Sequence, residues 1–181
     1  MSSNFPFIKN KVLRTNLDEA FDHVVTLLPF TESTTYNTPA KSAFRKTIII
    51  HTAAIVEALL FHVLDKKFTE SDMAFYYSNW KLQNKVELYE VSPEHIIVAG
   101  DYKKVDGDGR KEKLNLGLII NFLKDQKIIS KDLFNKVEKL KKLRNEQHIG
   151  AQTKVKEYTK KDLEAAFEVA RVVKEFSRKN L

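Results

Sequence analysis

No cysteine occurs anywhere in the 181 residues, which excludes disulfide staples and thiolate metal sites and fits a reducing compartment. Glycine and proline are scarce, at five and four residues. That is too few turn formers for a turn-dense all-β fold and favours long helices. A glycine-rich loop that could cradle phosphate is missing, so a nucleotide-driven motor or kinase is not expected. The most apolar stretch, Ile48 to Leu64, is interrupted by His51, Glu57 and His62 and reads as a buried helix rather than a membrane span. At the N-terminus Lys9, Lys11 and Arg14 break any apolar core, so no signal peptide is expected. Together these absences lead us to expect a cytoplasmic protein with no membrane partner.

What is present is ordinary in amount and uneven in placement. Hydrophobic residues at 43% and charged residues at 30% are the balance of a globular chain, and the length suits one domain spanning residues 1–181. The net charge of +7 is not shared. Residues 1–102 carry 10 Lys/Arg against 12 Asp/Glu, whereas residues 103–181 carry 21 against 12. All of the positive excess therefore lies in the C-terminal half, which raises the odds of a polyanionic partner such as RNA. A solvated lysine-rich helix face is the plainer reading of the same charges.

Helical periodicity dominates. Asn16 with Glu19 reads as a capping box ahead of Leu17, Phe21, Val24 and Leu28. Thr38-Pro39 reads as a helix entry, and the stripe Phe44, Ile48, Ile55, Leu59 and Val63 predicts a long helix to about Lys66. Thr69 to Trp80 reads as a short helix rich in aromatics. The period then changes. Val86 to Val91 alternates, Ser92-Pro93-Glu94 is a turn, and His95 to Tyr102 is rich in β-branched residues, which predicts a β-hairpin over 86–102 inserted among helices. Asp106-Gly107-Asp108-Gly109 follows as a turn, extending the insertion to residue 109. It is not an EF-hand loop, because Gly117 stands where the bidentate Glu is needed. Ser130 reads as the N-cap of a helix carrying Leu133, Val137, Leu140 and Leu143 and ended by Gly150. A last helix starts after Thr159.

The sharpest chemistry lies where the Ser130 helix closes, in Leu143-Arg144-Asn145-Glu146-Gln147-His148-Ile149-Gly150. Residues four apart share a helix face, so Arg144 and His148 can address one target. Arginine offers a planar fork suited to phosphate, and histidine exchanges its proton near neutral pH. A neutral His148 suits the role of general base on a ribose 2′-OH, Arg144 that of stabilising charge on phosphorus, and Asn145 that of orienting either. Lys139, Lys141 and Lys142 on the same helix are the candidate phosphate contacts. The plain alternative is cationic side chains complementing a helix C-terminus. Neither a metal nor a cofactor is expected. His51 and His62 lie eleven residues apart on one helix and cannot share an ion there. Glu57, within an apolar run, reads as a core or helix-face glutamate or as a site carboxylate. The cluster Phe75, Tyr76, Tyr77 and Trp80 reads as core or interface packing, with base stacking the alternative.

This arrangement resembles the HEPN superfamily: Leu-Arg-Asn…His closing a penultimate helix, an amphipathic helix after it, and the run Ile55-Val56-Glu57-Ala58-Leu59-Leu60 on an earlier long helix. The resemblance covers Pro39 to Lys66 and Leu114 to Phe176, with the hairpin as an insertion. It implies a mainly α, HEPN-like helical bundle. It also implies a metal-independent endoribonuclease of a prokaryotic toxin–antitoxin or phage-defence system, working as a homodimer that joins two copies of the motif. By that resemblance Arg144 and His148 would be catalytic, and Asn145 the polar residue that commonly follows the arginine. An antitoxin or another protein would be a partner. The motif departs from the family in spacing. Three residues separate Arg144 from His148, against four to six in the family, and one residue fewer turns the histidine by about 100° on a helix. Glu146 also adds an anion beside the substrate's phosphate. The departure keeps open a non-catalytic HEPN-like dimeric scaffold or interaction module, and a helical subunit whose basic half docks an acidic protein.

Overall fold

The computed structural model describes residues 2–146 and 156–181. Among them the protein is mainly helical, with one two-stranded antiparallel sheet. In chain order the elements are α1 (Lys11–Leu27), α2 (Thr38–Lys67), α3 (Glu70–Tyr76), β1 (Asn79–Ser92), β2 (His95–Val105), α4 (Leu116–Asp125), α5 (Lys131–Asn145) and α6 (Lys160–Asn180). They group into two compact units. One is helical, made of the chain up to Lys67 and from Leu114 onward; the other is Phe68–Lys113.

In the helical unit α2 is the central element, packed against α1, α4, α5 and α6. It is long and apolar enough in length and composition to cross a membrane, and most of that apolar stretch is buried against its neighbours. Ile48, Ile49, Val56, Leu59, Leu60 and Val63 are fully enclosed, as are Ile120, Leu123, Val137 and Val173 on the surrounding helices. Local chemistry sets where the helices begin. Ser130 accepts the Leu133 N–H at 3.1 Å, as expected of an N-cap. Thr159 and Asp162 cap α6 reciprocally. The expected start of α1 is corrected. Asn10, not Asn16, accepts the Leu13 N–H at 3.1 Å, and Asn16 lies inside the helix. The apolar stripe marked where packing starts, whereas the cap sits six residues earlier.

The second unit contains the hairpin, which is longer than its alternation indicated: the strands run from Asn79 and to Val105 rather than over 86–102. The expected Thr69–Trp80 helix stops at Tyr76, and Trp80 lies in β1 opposite Lys104. The register runs from Asn79↔Val105 to Ser92↔His95, with irregularities between Gln83 and Val86, Glu87 and Tyr89, and Glu90 and Ser92. All three put extra residues on β1. At the first, Asn84 adopts a left-handed φ of 49°, which asparagine tolerates well. Gly100 lies across from it, where a Cβ would come within 2.7 Å of the Gln83 carbonyl oxygen. After the hairpin, Asp108 receives Arg110 through two nitrogens, at 2.8 and 2.9 Å, and Lys113 at 2.6 Å. These hydrogen bonds pull its carboxyl well below the usual range. The segment expected as a turn is an irregular loop tied by these ion pairs.

Candidate functional site

Arg144 occupies the last turn of α5, next to Asn145, the final helical residue. Its Nη1 donates to Glu57 Oε2 on α2 at 2.6 Å. The Arg144 side chain is 38% exposed and that of Glu57 23%, so the pair sits at the edge of the core rather than in it. Glu57 is carried by the same helix that supplies the central apolar wall. Its partner is thereby held in a defined place, and Arg144 joins α2 to α5. A guanidinium has five N–H donors, more than a one-point contact with Glu57 uses. Asn145 is exposed beside it. His148 lies outside the described residues, as does Gly150, and α5 itself ends at Asn145.

The lysines on α5 divide between two faces. Lys139 and Lys142 are exposed, and three-residue spacing puts them on a common face. Lys141 is half-buried, pairs with Glu138 and lies beside Gly117 of α4. At about 100° per residue, Arg144 stands beside Lys141 and well round the helix from Lys139. So the structure brings Arg144 together with Glu57, and does not merge it with Lys139 and Lys142 into one stripe.

Across the undescribed segment, Glu146 and Lys156 form an ion pair. The returning chain is then fixed on α2. The Tyr158 N–H donates to Ser42 Oγ at 2.8 Å, and Arg45 Nη1 donates to the Tyr158 carbonyl at 3.4 Å. Tyr158 is buried, and burial pushes its phenol above the ordinary range. A second grouping links α1 to α2: the His23 and His51 rings lie 5.2 Å apart. Burial, then the neighbouring His23, pushes the His51 imidazole below its ordinary value. His62 is lowered too, first by burial and next by Lys66. Among the described residues no group of three His, Asp or Glu side chains converges as a metal site.

Sequence reasoning named Glu57 but gave it no partner. The partner is 87 positions away, and no periodicity spans that distance. The His23–His51 contact and the anchoring of Tyr158 by Ser42 and Arg45 were missed for the same reason. Comparisons of the chain with protein-family models, with curated proteins and with solved structures find no match.

Proposed function

We propose that the chain is a HEPN-like, RNA-binding protein of the cytoplasm whose Arg144 engages a backbone phosphate. With His148 it cleaves the phosphodiester without a metal. The observation that carries the reading is the placement of Arg144: a permanent cation, more than a third exposed, seated by Glu57 at the end of a lysine-rich helix. Fixing a cation before substrate arrives lowers the cost of ordering it in the transition state. In the reaction, His148 takes the 2′-OH proton and the 2′-oxygen attacks phosphorus. The bond to the 5′-oxygen breaks and that oxygen takes a proton from water, leaving a 2′,3′-cyclic phosphate and a 5′-hydroxyl. Arg144 offsets the charge that builds on the phosphate oxygens. The proposal extends to a homodimer that brings two motifs together, and to a role in a prokaryotic defence or toxin-type system with an antitoxin or similar protein partner.

One observation favours a second reading. The ion pair with Glu57 already gives Arg144 a structural task, joining α2 to α5, which suits a non-catalytic HEPN-like scaffold. The test is incubation of the pure protein with total RNA in EDTA, beside His148→Ala. Cleavage that is lost in the variant, with folding unchanged, supports the enzyme. Cleavage that survives in the variant removes it. RNA binding without cleavage in either protein leaves the scaffold reading.

A further inference from the structure

Within the helical unit, α1, α2 and α6 enclose a cavity of about 360 Å³. Its buried wall includes Phe5, Val24, Thr52 and Ile55, none more than 6% exposed. Val25 of α1 and Leu28 just beyond it also line the cavity, and both are exposed, so the space is open to solvent on that side. Thr52 is the one uncharged polar residue on the wall, and its hydroxyl is buried with no hydrogen-bond partner among the described residues. An ordered water needs about two to four polar partners. The buried wall therefore suits carbon rather than water.

The charged part of the lining has one sign. Arg171 and Lys174, three residues apart on α6 and so on one face, contribute to it, and no Asp or Glu does among the described residues. Arg171 is spoken for: it donates twice to Glu168, at 2.8 Å each, and that carboxylate offsets its charge. Lys174 is not. It is half-buried, its ammonium lies 5.1 Å from the centre of the Phe5 ring, and no carboxylate pairs with it among the described residues. An apolar cavity with one uncompensated positive charge in its lining is complementary to an apolar body with a single negative head.

We infer that this cavity is a binding site for a medium-chain carboxylate, with the tail against Val24, Thr52 and Ile55 and the head on the Lys174 ammonium. Small-molecule sites have this size and this makeup, mostly apolar with a few placed polar groups. At roughly 30 Å³ for each group the size of a water molecule, the volume accommodates a chain of about ten carbons. The carboxylate takes Lys174 from the face of the Phe5 ring into a charge-assisted hydrogen bond. At about 100° per residue, Glu57 lies well round α2 from Thr52 and Ile55. The cavity is therefore separate from the seat of Arg144 and independent of the ribonuclease reading.

The experiment titrates the full chain with decanoate and with decanol, both kept below the concentration at which they aggregate, and follows the heat of binding. Lys174→Gln and Ala170→Phe are measured beside the wild type. The wild type should bind one decanoate per chain, and decanol more weakly. Lys174→Gln should weaken decanoate by about tenfold, the loss of a hydrogen bond to a charged group, and leave decanol unchanged. Unchanged decanol binding also shows that this variant is folded. Ala170→Phe places a phenyl ring in the cavity lining and should weaken both ligands, with its melting temperature reporting on folding; Lys174→Gln carries the test whether or not this second variant folds. A wild type that binds no decanoate overturns the inference, as does decanoate affinity that is the same in Lys174→Gln. Equal losses of decanoate and decanol in Lys174→Gln, or full affinity in a folded Ala170→Phe, overturn it as well.

Discussion

In the helical unit Val56, Leu59 and Ile120 are fully enclosed, whereas in the ribbon Trp80, Tyr89 and Tyr102 stand in solvent. Both regions are rich in apolar side chains. They differ in whether the chain itself supplies a cover. Five helices close around one another with α2 at the centre, so burial there stabilises the fold directly. The ribbon has hydrogen bonds between two strands and side chains that remain exposed, so its apolar surface is available for association. The difference teaches that apolar content does not by itself say what a segment is for; the cover does.

The largest expected effect tests this contrast head on. Leu59→Ala should cost about 2–5 kcal/mol, the range for an enclosed leucine leaving a cavity. Leu88→Ala, at an exposed ribbon position, should change monomer stability by less than about 0.5 kcal/mol. Urea unfolding of both at low protein concentration is the measurement. Equal losses would mean that the ribbon has a cover after all.

Much of this contrast was legible in the sequence. The stripe from Phe44 to Val63 and the alternation from Val86 to Val91 carry different periods, and each formed the element its period implies. Ser130 and Thr159 were readable because capping is a contact of three residues' reach. The start of β1 was not, because Tyr76, Tyr77 and Trp80 follow a real helical cap at Thr69 and their spacing also fits a helix. For the site, the motif of Arg144 was legible and its setting was not. The seat provided by Glu57 is a tertiary contact, invisible to local spacing.

A smaller effect concerns the helix starts that frame α5 and α6. Ser130→Ala and Thr159→Ala should each cost about 1 kcal/mol, the usual loss when a cap's side chain no longer receives a backbone N–H. Thermal unfolding reads both. Glu57→Gln should cost no more than about 1 kcal/mol, since Arg144 is more than a third exposed and water screens the pair.

The smallest effect is one of pH, and it belongs to the helical unit. His51 and His62, both on α2, are held below the ordinary imidazole value of 6.5. The unfolded chain therefore binds protons at these sites before the folded one does. Their contribution to stability is complete above about pH 6.5 and declines as the pH falls below it. Melting temperatures across that range should drop toward acid. The double variant H51N/H62N should show a shallower drop; an unchanged slope would place the titrating groups elsewhere.

The central claim is that Arg144 is a phosphate-binding cation seated by Glu57, not merely a link between two helices. RNA affinity, measured against salt for Arg144→Ala and Glu57→Gln beside the wild type, tests it most directly. A lost phosphate contact lowers the salt slope by about one unit. Arg144→Ala should weaken binding and lower that slope, whereas Glu57→Gln should keep the slope and bind at least as tightly, because an anion beside the phosphate has been neutralised. Equal stability losses in the two variants, with RNA affinity and salt slope unchanged in both, would contradict it.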